Sequence, residues 1–197
     1  MAEPSPSLSF AISAREWDPK RRYDTISIGL HWLMAAVILL DWLIGQGRNF
    51  VPGAGARADA ISLHMLIGIT IGILLLARIA WRARAGRRFG YEPGLLGLAA
   101  RAAHMGLYIL ITATVLAGLA AAAMYKVHLF GVALPALAPH GPLFLLASLH
   151  SVLADLLGLL AAAHALAALT HHFVMDDEVL LRMAPFLPSW LGSQRRR

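Results

Sequence analysis

Cysteine is absent from this 197-residue chain. That single absence removes disulfides, thiolate-held iron–sulfur clusters, zinc ribbons and covalent c-type haem attachment. Charge is also scarce: 14% of residues are charged and 58% hydrophobic, with a mean hydropathy of +0.65, whereas soluble domains carry about 25% charged residues. A soluble fold could not hide so much apolar surface. The net charge of +6 and pI near 10.5 would suggest nucleic acid in a soluble protein, but here the basic residues are parcelled between apolar runs, a pattern of membrane topology. No nucleic-acid partner is expected. No short apolar core with a small-residue cleavage site precedes the first run, so no removed signal peptide is expected either.

What is present is apolar sequence in four long runs: Ile26–Ile44, Ala60–Trp81, Ala102–Tyr125 and Leu149–His172. Each is long enough to cross a bilayer as a helix. Asp24 or Thr25 can cap the first. A short Gly/Pro/Arg loop containing Pro52, Gly53 and Gly55 follows it. A second loop, from Lys126 to about Pro142, contains His128, Pro135, Pro139 and His140, and a short amphipathic tail follows the fourth run.

Lysine and arginine set the orientation. The N-terminal segment has four, the segment between runs two and three has five, and the C-terminal tail has four, with Arg78 adjoining the same side. The other two loops hold only Arg48, Arg57 and Lys126. The positive-inside rule then places both termini in the cytoplasm. The expected fold is an all-α membrane protein, a four-transmembrane-helix up-and-down bundle. Its expected divisions are a polar N-terminal extension over residues 1–22, the helical domain over 23–187 and a basic tail over 188–197.

Histidine is the remaining soft ligand, and there are nine. His150 and His164 lie fourteen positions apart on the last run, which is about 21 Å of rise and within about 40° of whole turns, so both leave one helix face. Imidazole inside hydrocarbon is costly without a partner, and neutral imidazole is a common metal ligand. The topology tests this idea independently. His31 and His164 fall at the inner depth, His64 and His150 at the outer depth. A b-type haem asks for such an arrangement, two axial imidazoles from facing helices in a bundle core. Gly68, Gly158 and Ala161–Ala163 would allow a planar ring close to backbone, or simply let helices pack in lipid.

Five other groups invite a role. Arg78 lies fourteen residues after His64, where it either pairs with an inner-haem propionate or snorkels to the interface. His104 and His171 either meet propionates or a quinone headgroup, or sit idle at the interface. His172, about 80° around from His171, is expected to face water only, and His128 and His140 to be solvated. Asp41 and Asp155 lie within helices, with interhelical hydrogen bonding the expected role.

Taken together, these residues resemble the bacterial cytochrome b561 family of dihaem four-helix membrane proteins, which includes the membrane superoxide oxidase. The resemblance rests on Tyr23, Asp24, His31 and Trp32; on His64, Gly68 and Arg78; on His104-Met-Gly-Leu-Tyr; and on His164-Ala-Leu-Ala-Ala-Leu-Thr-His171-His172 followed by Leu180, Leu181, Arg182, Met183 and Pro185. It covers residues 23 to about 187. It implies that His31 and His164 hold an inner haem, and His64 and His150 an outer one, in the bacterial inner membrane. No separate catalytic side chain is expected.

Three functions follow. One is superoxide oxidation at the outer side with ubiquinone as acceptor, Arg48, Arg57 and Lys126 steering the anion. Another is an electron-transfer subunit serving a periplasmic or membrane redox partner. The third, given least weight, is a proton-coupled transporter without haem, for which four short-looped helices lacking an internal repeat are poorly suited.

Overall fold

The computed structural model describes residues 23–85, 94–124, 127–129, 131–136, 142–175, 177 and 179–186. Four long helices dominate: α1 (Thr25–Gly47), α2 (Ala54–Ala85), α3 (Leu95–Met124) and α4 (Leu143–Phe173). All four are long and apolar enough to cross a membrane. A backbone in lipid must satisfy its own polar groups, and an α-helix does so within one segment. Hydroxyls follow the same rule: Ser62, Thr70, Thr112 and Thr170 each donate to the carbonyl four residues back.

Every helix begins before the apolar stretch that announces it. α2 starts six residues before Ala60 and takes in Gly55 and Arg57, which the sequence reading left in a loop. The flanks of α2 and α3 are rich in alanine and arginine, strong helix formers that extend these helices past their apolar runs. Glycines set two of the starts. Gly53 and Gly94 have φ of +85° and +91°, left-handed conformations that other residues adopt at a cost, and their carbonyls accept from Arg57 and Leu98 four residues on.

The all-helical expectation misses one element. Between α3 and α4 lies a small antiparallel hairpin, β1 (Val127–Leu129) and β2 (Val132–Leu134), with His128 opposite Ala133 and Gly131 in its link at φ +84°. The tail contains the short helix α5 (Val179–Met183).

Lateral contacts fix the up-and-down order. At the end where α1 begins, the Trp81 indole donates to Asp24, and His104 lies beside His164. At the opposite end Asp41 meets His64. We call these the first and second ends. α1 lies mainly along α2, and α3 mainly along α4; α2 touches α3 more lightly, and α1 touches α4 more lightly still. Met34, Ile71, Leu75, Ile111 and Leu157, drawn from all four helices, form the buried core. Large side chains such as Leu39, Ile73, Leu76 and Leu159 face outward, as expected of a surface bathed by lipid. Which end is cytoplasmic was read from charge, and much of that charge, including Lys20, Arg21, Arg22, Arg87, Arg88, Lys126 and Arg195–Arg197, lies outside the described residues, as does His140.

Asp24 is the cap of α1, accepting from the Ser27 N–H at 2.9 Å, the Ser27 hydroxyl at 2.7 Å and the Trp81 indole at 2.9 Å. Burial disfavours its charge, but these donors outweigh that and hold its carboxyl below the ordinary value. Asp24→Ala is expected to destabilise the protein by about 1 kcal/mol through the lost cap, read as a lower thermal midpoint in detergent. Because the folded pKa is depressed, this stabilisation is complete at neutral pH and disappears as pH falls through the folded pKa. The gap between variant and parent should therefore close in acid.

Candidate functional site

The histidines gather at two levels. At the first end, His31 of α1 and His164 of α4 stand with ring centroids 6.4 Å apart and planes at 79°. His104 of α3 lies closer to His164, 5.1 Å between centroids. Arg78 of α2 completes this level, its Nε donating to the Tyr108 hydroxyl at 3.1 Å while Nη1 is buried without a partner. It lies within electrostatic reach of all three imidazoles. Arg82 stands over the Tyr108 ring.

At the second end, His64 of α2 and His150 of α4 stand 5.8 Å apart at 71°. Each has its Nδ1 facing an oxygen. His150 Nδ1 is 2.9 Å from the Thr114 carbonyl of α3, which makes that nitrogen the donor and leaves Nε2 free of its proton. His64 Nδ1 is 2.8 Å from Asp41 Oδ1 of α1, close but too poorly aligned for a regular hydrogen bond. Two glycines make room. A Cβ on Gly118 would stand 2.9 Å from His150 Nδ1 and Cε1, and one on Gly45 3.3 Å from His64 Cε1.

This donor set suits an ion held between two imidazoles. A metal–imidazole bond is about 2.0–2.1 Å and the centroid lies roughly 1.2 Å beyond the nitrogen, so rings sharing one ion stand about 6.4–6.6 Å apart. His31 and His164 match that separation, His64 and His150 fall a little short of it, and His104 is too near His164. Metal-bound histidines characteristically give their second nitrogen to a carbonyl or carboxylate; His150 does so to the Thr114 carbonyl, and His64 Nδ1 lies 2.8 Å from the Asp41 carboxylate without an aligned hydrogen bond. Among the described residues no group of three or more His, Asp or Glu forms a metal cage, which two-ligand haem coordination does not require.

The structure therefore brings together both expected pairs, and adds partners that the sequence reading missed. Asp41 was flagged only as an acid within a helix; its neighbour on α2 had no local signal. Gly118 lies fourteen residues after His104, the same step that separates His150 from His164, and that coincidence could have marked it. Gly68 has the Asp41 carboxylate as its nearest neighbour, and Gly158 packs on the Trp42 indole. Asp155 accepts from the Gln46 amide of α1 and so hydrogen-bonds across helices as expected, whereas Asp41 reaches His64 of α2 only as a close, unaligned contact. His171 pairs with Asp177.

His172 corrects an expectation. It is buried, 5% exposed, against the Phe173 ring, with Nε2 unpartnered. Helical phase within α4 alone carries no sign of that burial. The segment after α4 folds back along the bundle, its α5 against α4 and its Met183 carbonyl taking the Trp32 indole at 2.7 Å.

Four spanning-length helices with imidazoles paired across the interior define a membrane bundle of the b-cytochrome class. Comparison with known proteins gives the family: the prokaryotic cytochrome b561 model matches residues 22–186, and this chain belongs to that family. Membership implies b-type haem. Its relatives include the "Probable superoxide oxidase CybB" of Yersinia pestis, 29% identical over 84% of this chain and 97% of that protein. Cytochrome b561 homolog 2 of Escherichia coli is 34% identical over 82% and 90%, and cytochrome b562 of Cereibacter sphaeroides is 31% identical over 82% and 94%.

Proposed function

We propose that this chain is a dihaem cytochrome that passes electrons from the outer face of the bacterial inner membrane to membrane quinone, oxidising superoxide with ubiquinone as acceptor. The observation that carries the reading is the pairing of imidazoles at two levels, separated by about 21 Å along α4. Residues 23–187 are the cytochrome domain, flanked by the polar extension 1–22 and the basic tail 188–197. His31 and His164 hold one haem at the first, cytoplasmic end; His64 and His150 hold the other at the second. The haem iron supplies one-electron chemistry through its change of valence.

The protein supplies the rest. Thr114 and Asp41 orient the second-end imidazoles through Nδ1. Arg78, anchored by Tyr108 and with a buried guanidinium nitrogen to spare, is placed to take a propionate. His104 and His171 are the candidates for a quinone headgroup near the first end. Arg48 and Arg57, donating to the Gly45 and Val51 carbonyls, lie at the second end and favour approach of an anion. The net reaction consumes two superoxide anions, quinone and two protons, and yields two dioxygen and the quinol.

A second reading is supported by the relatives named only as cytochromes, two of them with higher identity than the superoxide oxidase: an electron-transfer subunit whose donor is a separate protein. Purified protein is expected to give two haems per chain in a pyridine haemochrome assay, and to consume superoxide faster when ubiquinone is added. One haem per chain overturns the dihaem reading. Two haems without quinone-dependent superoxide consumption favours the subunit.

A further inference from the structure

The two levels sit in opposite electrostatic surroundings. The first has a half-buried cation, Arg78, within reach of His31, His104 and His164. The second has a buried carboxylate, Asp41, 8% exposed, with Oδ1 2.8 Å from His64 Nδ1. Its counterpart across the level, His150, gives its Nδ1 only to the neutral Thr114 carbonyl. A cation, Arg48, is also within reach of His150, but its guanidinium is tied to the Gly45 carbonyl. Gly68 lies beside Asp41, where an added Cβ would stand in ordinary contact, 3.8 Å from Oδ2. An acid inside a membrane helix is costly, and this one lies against the His64 imidazole of the neighbouring helix, with His150 also within its electrostatic reach.

A carboxylate beside the outer nitrogen of a bound imidazole does two things. It fixes the tautomer, keeping the proton on Nδ1 and the lone pair on Nε2, and it makes the imidazole a stronger electron donor. Stronger donation favours the ferric form of a bound iron, and a nearby negative charge does so again, so both effects lower the reduction potential. A cation such as Arg78 acts in the opposite sense.

We infer that Asp41 is a positioning residue acting through His64, and that it sets the second-end centre to the lower of two reduction potentials, an order that favours one-electron passage from the second end to the first. This rests on the dihaem reading above and adds to it a direction and the residue responsible. Asp41 touches neither substrate nor the ligating nitrogen.

Spectroelectrochemical titration of the purified holoprotein tests it. The parent should show two midpoints. In Asp41→Asn, which keeps the shape and removes the charge, the lower midpoint should rise while the upper stays in place. The midpoint that moves should belong to the haem that His150→Ala loses. Asp41→Glu, which restores a carboxylate, should return the split toward that of the parent. If Asp41→Asn carries two haems with both midpoints unchanged, or with only the upper one moved, the inference is overturned. If Asp41→Asn retains one haem, Asp41→Glu decides: two haems with the parent's split support the role, and two haems with coincident midpoints refute it. A parent with one haem sinks the dihaem reading itself, an outcome distinct from any of these.

Discussion

His150→Ala is expected to leave one haem per chain where the parent holds two, and to reduce superoxide-driven quinone reduction by more than about 100-fold, beyond what loss of a mere supporting residue costs a metal site. The expectation follows from the second-end geometry. Among the described side chains, His64 and His150 are the imidazoles at that level, whereas the first end has three. His104→Ala is the informative companion. Its ring is nearer to His164 than the true partner of a shared ion would be, so this variant should retain two haems. Pyridine haemochrome stoichiometry on both variants separates the outcomes, and a His104→Ala protein with one haem would reverse the roles of His104 and His31.

Gly118→Ala should be nearly as damaging, although it adds only a methyl group. The new Cβ would stand 2.9 Å from two atoms of the His150 ring, a separation that forces the imidazole to shift and break its bond to the Thr114 carbonyl. Overpacking of this kind costs about 1–3 kcal/mol, and here the strain falls on a proposed ligand. Loss of one haem per chain is the expected result. Gly106→Ala is the control, because its Cβ would meet only the flexible end of Leu160 at 3.0 Å and should leave the haem content intact. Similar haem content in the two variants would show that the ring at position 150 needs no such clearance.

The four spans were legible because apolar runs of bilayer length leave a backbone few alternatives to helix. The pairing of histidines by depth followed from charge counting and needed no lateral information, and His31 does meet His164, as His64 does His150. Lateral neighbours were the illegible part. Asp41 and His64 are twenty-three positions apart on different helices, and no periodicity within either one states which faces will touch. The Thr114 carbonyl is invisible for a stronger reason: a backbone oxygen carries no residue-specific signature. The β1–β2 hairpin escaped because three-residue strands are too short to establish an alternating pattern. His172 was misplaced because helical phase states where a side chain leaves its own helix and not what packs against it there.

The lopsided association of the helices bears on how such a molecule is put together. α1 leans on α2 and α3 on α4, while the seam between these hairpins is thin where α1 meets α4. Each proposed imidazole couple crosses that seam, with His31 and His64 on one hairpin and His164 and His150 on the other. The prosthetic groups would thus rivet two half-molecules, and their insertion and the closing of the bundle would be one maturation event. A cell starved of haem would hold a hinged pair of hairpins, open to the quality-control proteases of its membrane.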